Sequence, residues 1–122
     1  MREHLPLLAR WLEAVCSGNV NKVLSLYTSD AVLLGTFAEK LKQGQQLRGY
    51  FEKFLSRSDL CGQIDTFVAQ KTKDSLVLSG TYTFRWLDTG GPVEAKARYS
   101  FVFVPVGRNW LILNHHSSAI PE

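Results

Sequence analysis

The sequence predicts an α+β domain in which helices come first and hairpin-linked strands follow. In the first half, apolar residues recur every three or four positions, as they do on one face of a helix. In the second half, apolar and polar residues alternate between turns that contain glycine, as they do in half-buried strands. This order predicts helices packed on one face of a curved antiparallel (mixed) sheet. The 122 residues, 45% of them hydrophobic, suffice for a single domain over residues 1–122.

Three helices are predicted before the main strands. The first covers about residues 3–17 and ends at Gly18, a residue type that is common just after a helix. The second is short and begins after Asn19, whose side chain can cap a helix, and Tyr27 is expected on its apolar face. The third is expected to end near Ser58. It is marked by apolar residues at three- and four-residue spacing, namely Leu47, Tyr50, Phe51, Phe54 and Leu55.

The remaining segments are predicted to be strands and their connections. A short strand over residues 30–34 is followed by a loop over 35–44. Four longer strands are predicted at residues 63–70, 75–87, 93–106 and about 110–117. The turn chemistry of Asp88–Pro92 predicts a hairpin between the middle two. Four apolar residues are expected on the sheet face away from Tyr99 and Phe101, namely Val102, Val104, Trp110 and Ile112. Such a face would be exposed in a monomer, so a homo-oligomer, a homodimer at least, is expected.

Composition narrows the function classes. The net charge of +3 is spread along the chain, so no nucleic-acid partner is expected, and a nucleic-acid-binding function is disfavoured. No apolar run approaches the roughly 20 residues of a membrane span, so no membrane association and a cytoplasmic location are expected. Cys16 and Cys61 lack metal-ligand spacing, and Cys16 is interpreted as a small buried hydrophobe. No metal and no cofactor are expected, since Gly90–Gly91 belongs to a hairpin and not to a dinucleotide motif.

Two segments resemble a known family. Residues 81–92 (TYTFRWLDTGGP) and 107–118 (GRNWLILNHHSS) are similar to the association (hub) domain of calcium/calmodulin-dependent protein kinase II. That domain belongs to the nuclear-transport-factor-2-like (NTF2-like) superfamily, and the ending HHSSAIPE is similar to its stand-alone bacterial members. The resemblance implies an NTF2-like cone of three N-terminal helices on a curved sheet. Because the hub has no catalysis of its own and assembles into rings of dimers, it also implies a non-catalytic oligomerising domain.

The same resemblance implies a pocket inside the cone. Its predicted lining is Leu47, Tyr50, Leu55, Tyr82, Tyr99, Phe101, His115 and Ser117. The resemblance puts Leu47 and Leu55 where the family cavity has a histidine and a tryptophan. It puts Tyr82, Phe101 and Ser117 where the family has arginines that bind small carboxylates. A largely apolar cavity without those cations is expected to suit a small neutral or aromatic ligand.

His115 is the candidate for chemistry. Neighbouring residues on a strand point to opposite faces, so His115 and His116 cannot act together on one ligand. His115 is predicted to face the cavity, and its ordinary pKa makes it a possible general base for an isomerase or dehydratase, with Tyr82 or Tyr99 orienting the substrate. The segment 33–37 contains no carboxylate to assist it. A hydrogen-bonded structural histidine is therefore the favoured interpretation, and the enzyme is the alternative.

Overall fold

The computed structural model describes residues 5–121, and within them the chain forms three helices and six strands. In chain order they are α1 (Leu5–Ser17), α2 (Val20–Leu24), β1 (Tyr27–Leu34), β2 (Lys42–Gln43), α3 (Gln46–Phe54), β3 (Ser58–Lys71), β4 (Leu76–Asp88), β5 (Gly91–Val106) and β6 (Asn109–Ala119). The predicted start of the first helix at residue 3 lies outside the described residues.

The six strands form one sheet with the order β2-β1-β6-β5-β4-β3. Strands β1 and β6 run parallel, while the other neighbours run antiparallel. The sheet is therefore mixed, and the predicted α+β class with three helices is confirmed. The hairpin predicted at Asp88–Pro92 is also present, since β4 pairs with β5 along its whole length, up to Asp88 opposite Gly91.

Trp11 fixes α1 over the concave face of the sheet. Its ring stacks on Tyr82 with 5.8 Å between centroids and meets the rings of Phe101 and Phe84 edge-on at 5.2 and 6.1 Å. All four side chains are at most 1% exposed. Burial of an aromatic or aliphatic side chain of this size contributes about 1.5–3 kcal/mol. The helix therefore closes one side of the cone with well-packed rings.

Several elements differ from their predicted bounds. Strand β1 begins at Tyr27, so this residue pairs with Ile112 in the sheet and does not belong to the second helix. The strand turns the Tyr27 hydroxyl into the core, where it accepts a hydrogen bond of 3.0 Å from Trp11 Nε1. Helix α3 ends at Phe54, before the predicted end near Ser58, and β3 begins at Ser58. The short strand β2 lies inside the predicted loop and pairs with β1.

A β-bulge in the last strand corrects the predicted orientation of two residues. Between Val102 and Phe103 the pairing with β6 slips by one position, which leaves Leu113 as the extra residue. Ile112 consequently faces the core opposite Phe103 and is fully buried. Trp110, two positions earlier on the same face, also packs against the core. The prediction that Trp110 and Ile112 face outward is therefore wrong.

The two cysteines form a disulfide, which also corrects the sequence analysis. Cys16 at the end of α1 and Cys61 in β3 are 45 positions apart in sequence, and their Cα atoms lie 4.4 Å apart. Cys16 is exposed and not a buried hydrophobe. The reason is that β3 begins early enough to bring Cys61 beside the last turn of α1. Disulfides persist mainly in oxidising compartments, so this bond weighs against the expected cytoplasmic location, which stays a prediction.

Candidate functional site

The candidate site is the interior of the cone, between the helices and the concave face of the sheet. It encloses a cavity of about 10 Å³, the space of one water molecule at most. The lining residues are Trp11, Leu33, Gly35, Thr36, Tyr50, Phe51, Phe54, Tyr82, His115 and Ser117. In this conformation the interior is filled by the protein's own side chains and has no room for an organic ligand.

His115 lies at the centre of this interior and is 2% exposed. Its Nδ1 atom is 2.8 Å from the Tyr27 hydroxyl, and its Nε2 atom is 3.2 Å from the Tyr82 hydroxyl. Its ring stacks on Phe101 with 3.9 Å between centroids and meets Trp11 edge-on at 5.4 Å. Both ring nitrogens thus have hydrogen-bond partners, and the ring packs against two aromatic side chains.

The hydrogen bonds of this cluster run in one direction. Trp11 Nε1 can only donate, so Tyr27 accepts from it, and the Tyr27 hydroxyl hydrogen then has His115 Nδ1 as its acceptor. His115 accordingly carries its proton on Nε2 and donates it to the Tyr82 oxygen. The hydroxyls of Thr36 and Ser117, which bond to each other, lie beside Tyr82 at the far end. No polar side-chain atom that is buried in the described structure lacks a hydrogen-bond partner.

Burial sets the protonation state of the cluster. It lowers the pKa of His115 to about 3, with the nearby His116 as a smaller cause, because a charged imidazolium would lose its hydration. Burial also raises the pKa of Tyr27 and of Tyr82 above their usual values. Near pH 7 the imidazole is therefore neutral and the phenols keep their protons. A group that takes up a proton only near pH 3 is a weak general base at neutral pH.

The structure brings together half of the predicted pocket. Four predicted residues line the cavity, namely Tyr50, Tyr82, His115 and Ser117. Phe101 lies behind His115, and Tyr99 donates its hydroxyl hydrogen to the Thr66 carbonyl at 2.8 Å. Leu47 is buried in the core away from the cavity, and Leu55 follows the end of α3. A role for any of these residues in binding a ligand stays a prediction.

Sequence reasoning missed several residues of the interior. Trp11 falls within the predicted first helix, where no contact with the cone interior was predicted for it. Gly35 and Thr36 were assigned to an undifferentiated loop. Gly35 carries a signal in retrospect, because a Cβ atom there would lie 2.8 Å from the hydroxyl oxygen of Tyr50. Glycine at this position thus lets the Tyr50 ring close the mouth of the cone.

A second feature is the convex face of the sheet, here called the outer sheet face. Aliphatic residues pair across it, with Val77 opposite Val102 and Val104 opposite Leu111. Each of these four is half-buried in the single chain, and each alternates with a buried core residue of its strand. Val32 extends the row onto β1 beside Asn114. Next to this apolar strip the face becomes polar, beginning with the hydrogen-bonded pair Ser79 and Ser100.

A curved mixed sheet packed against three helices, the third of which follows the first two strands, has the NTF2-like fold. The chain belongs to the family of the calcium/calmodulin dependent protein kinase II association domain, whose family model matches residues 1–121. A crystal structure from Xanthomonas campestris that carries this domain name is 40% identical, with a TM-score of 0.92 over 99% of this chain and 88% of that chain. The resemblance inferred from the sequence is therefore confirmed.

More distant structures share the fold. The calcium/calmodulin dependent kinase II hub of S. rosetta is 16% identical, with a TM-score of 0.81 over 95% of this chain and 93% of that chain. An NTF2-like protein from Salmonella enterica is 14% identical, with a TM-score of 0.87 over 99% of this chain and 91% of that one. Among curated proteins, the sequence has no significant match.

Two features of residues 5–121 bear on possible partners. No group of three or more histidine, cysteine, aspartate or glutamate side chains in this range is placed to hold a metal ion. Within the same range, no helix has both the length and the apolar character that a membrane crossing requires.

Proposed function

We propose that this chain is a non-catalytic assembly domain that self-associates, as a dimer at least, through its outer sheet face. The observation that carries this proposal is the apolar strip formed by Val77, Val102, Val104 and Leu111. These residues are half-buried although they lie on the face opposite the core. A two-fold contact would bury the strip of both chains at once. Membership of the association-domain family supports this proposal.

The enzyme alternative has less support. An isomerase or dehydratase that uses His115 would need this residue to take up a proton from a substrate near neutral pH. The lowered pKa of His115 opposes proton uptake, and its hydrogen bonds to Tyr27 and Tyr82 leave no nitrogen free for a substrate. The cavity of about 10 Å³ also offers a substrate no space beside the imidazole.

Binding of a small neutral or aromatic ligand in the cone is a weaker part of the proposal. Such a ligand needs a cavity of several hundred Å³, so the cone would have to open widely. The Tyr50 ring is the closing group, since it packs on Phe54 with 5.9 Å between centroids and stands against Gly35 at the mouth. Its displacement would be the first step of any opening.

Self-association is tested by a charge on the outer sheet face. Val102→Asp places a carboxylate in the middle of the apolar strip, and a two-fold interface would contain this carboxylate twice. An unpaired charge buried in an interface costs about 3–5 kcal/mol. We therefore expect the dissociation constant of the oligomer to rise by at least about 100-fold. Sedimentation velocity over a range of protein concentrations measures this change.

Leu5→Asp is the matched control, because Leu5 is an exposed leucine on α1, away from the outer sheet face. It should leave the oligomeric state unchanged, and circular dichroism should show that both variants are folded. If Val102→Asp sediments like the unmodified chain, self-association does not use this face. If Leu5→Asp dissociates the oligomer to the same extent, the interface includes α1 and the proposal is wrong.

A further inference from the structure

Outside the cone, a cleft lies between the loop that follows β1 and the helix α3. It has a volume of about 370 Å³, within the range of small-molecule sites. Its aromatic part consists of Phe37, Tyr50 and Phe54. Tyr50 and Phe54 also line the closed cavity, so they form the wall between the two spaces. Phe37 is 43% exposed, which leaves an aromatic surface open to a ligand.

The charged groups around this cleft are mostly cations. Lys40 and Lys42 come from the loop and β2, while Lys53 and Arg57 come from the end of α3 and the turn after it. Glu39 is the one acidic residue of the lining. Four positive charges and one negative charge give +3, which equals the formal net charge of the whole chain. The fold thus gathers into one cleft a charge that the sequence spreads over residues 39–57.

Arg57 is held in a fixed position beside the cleft. Its Nη1 atom donates to the carbonyl oxygens of Phe54 and Lys53 at 3.2 and 3.4 Å. Its guanidinium carbon lies 4.5 Å from the ring centroid of Phe37 and 5.3 Å from that of Trp86. A guanidinium held by backbone carbonyls and packed against aromatic rings keeps its remaining planar donors aimed in one direction, which favours a planar anion.

These cations have no acidic partner in the described part of the chain. Within residues 5–121, the side-chain ion pair that is formed joins Arg85 to Glu94, at another place on the sheet. Three lysines and an arginine that converge without a carboxylate partner repel one another, and an anion among them would relieve that repulsion. The carboxylate of Glu39 disfavours a ligand with several negative charges. The cleft therefore suits a single negative charge.

We infer that this cleft binds an organic monoanion with a flat aromatic body, such as an aryl carboxylate. The carboxylate would meet Arg57 and Lys53, since a guanidinium binds carboxylates with two parallel hydrogen bonds. The aromatic body would lie against Phe37. This inference is independent of the proposed self-association, because the cleft residues lie on the loop and α3 and not on the outer sheet face.

The test uses benzoate as the probe and the unmodified full chain at low salt. Titration followed by amide chemical shifts in two-dimensional NMR should show saturable shifts at residues 37–42 and 49–57. Benzyl alcohol, which has the same ring without the charge, should bind at least about 10-fold more weakly, because it loses the charge-assisted hydrogen bonds. Inorganic phosphate, which has charge without an aromatic body, should also bind at least about 10-fold more weakly.

Variants locate the site. Arg57→Gln should weaken benzoate binding at least about 10-fold. Because Arg57 also packs on Phe37, a second variant, Lys53→Gln, removes a cleft charge from an exposed side chain and should weaken binding several-fold. Arg85→Gln is the control, since it removes an exposed arginine that pairs with Glu94, and it should change the affinity less than twofold.

The inference is overturned by any of three results. The first is that benzoate shifts no resonance in a saturable way, or shifts resonances elsewhere than at the cleft. The second is that phosphate binds as tightly as benzoate, which would make the cleft a general anion site without aromatic selectivity. The third is that Lys53→Gln and Arg57→Gln both bind benzoate as well as Arg85→Gln does, which would remove the cleft cations from the site.

Discussion

The buried His115 predicts a defined loss of stability in mild acid. In the unfolded chain its imidazole takes up a proton near the usual pKa of 6.5, whereas in the folded chain it does so only near 3. Between these values the unfolded state binds one more proton, so acid favours unfolding. The stability that depends on the neutral imidazole of His115 is fully present well above pH 6.5 and is lost progressively as the pH falls toward 3.

The magnitude follows from this difference in pKa. Each pH unit below 6.5 changes the free energy of unfolding by up to about 1.4 kcal/mol. Because the histidine of the unfolded chain is only partly protonated near 6.5, the loss between pH 7 and pH 5 amounts to about 2 kcal/mol. Asp65 does not contribute to this loss between pH 7 and pH 5. The hydrogen bond from Thr83 lowers its pKa, so the stability that its carboxylate provides is lost only as the pH falls below the usual value of 3.8.

Urea unfolding at pH 7, 6 and 5, at one protein concentration, measures this loss. His115→Gln keeps an amide donor and acceptor but cannot titrate, so we expect about 2 kcal/mol of the pH dependence to disappear. His116→Gln is the control, since His116 is the next residue and lies exposed on the opposite face. If His115→Gln unfolds with the same pH dependence as the unmodified chain, the neutral buried imidazole is not what makes the fold sensitive to acid.

Two further predictions concern the scaffold. Reduction of the Cys16–Cys61 disulfide should lower the free energy of unfolding by about 4 kcal/mol, because the unfolded chain regains the entropy lost in closing a loop of this length. Urea unfolding with and without a reductant measures this change. Two free thiols found by mass spectrometry in the unreduced protein would contradict the disulfide. Gly80→Ala should destabilise the fold by at least about 2 kcal/mol, because its Cβ would overlap the Thr66 carbonyl and lie 2.8 Å from the Tyr99 hydroxyl oxygen. Gly90→Ala meets nothing within 4 Å and should change thermal stability little, so equal effects of the two substitutions would contradict this explanation.

Local patterns were enough to predict the architecture. Alternation in residues 75–87 and 93–106 and the turn between them predict β4, β5 and their hairpin, because each signal depends on a few neighbouring residues. The helical spacing from Leu47 to Leu55 identifies α3 for the same reason. The order of these elements predicts helices on one face of a curved sheet, and the family resemblance adds the NTF2-like cone.

Features that depend on distant parts of the chain were not predicted. The run Trp110–Leu113 is apolar at every position, so alternation gives no phase and the bulge at Leu113 leaves no local signal. The pairing of Cys16 with Cys61 requires knowing that β3 passes the end of α1. The size of the cone cavity depends on how closely Trp11 and His115 pack, which a list of expected lining residues does not determine.

The charged cleft shows the same limitation for electrostatics. In the sequence, Lys40 and Lys42 are separated from Lys53 and Arg57 by most of α3. Each pair alone is typical of a solvated surface. The loop after β1 folds back along α3 and brings the pairs together. A net charge of +3 therefore gave no indication of where an anion could bind.

Self-association of the unmodified chain is the central claim, and sedimentation equilibrium tests it most directly. The chain mass is 13.7 kDa. The account predicts a species of at least twice this mass that dissociates on dilution, because the apolar strip of the outer sheet face is covered by a second copy. A mass of 13.7 kDa at every concentration would contradict the account, since that strip would then be open to solvent in the native protein.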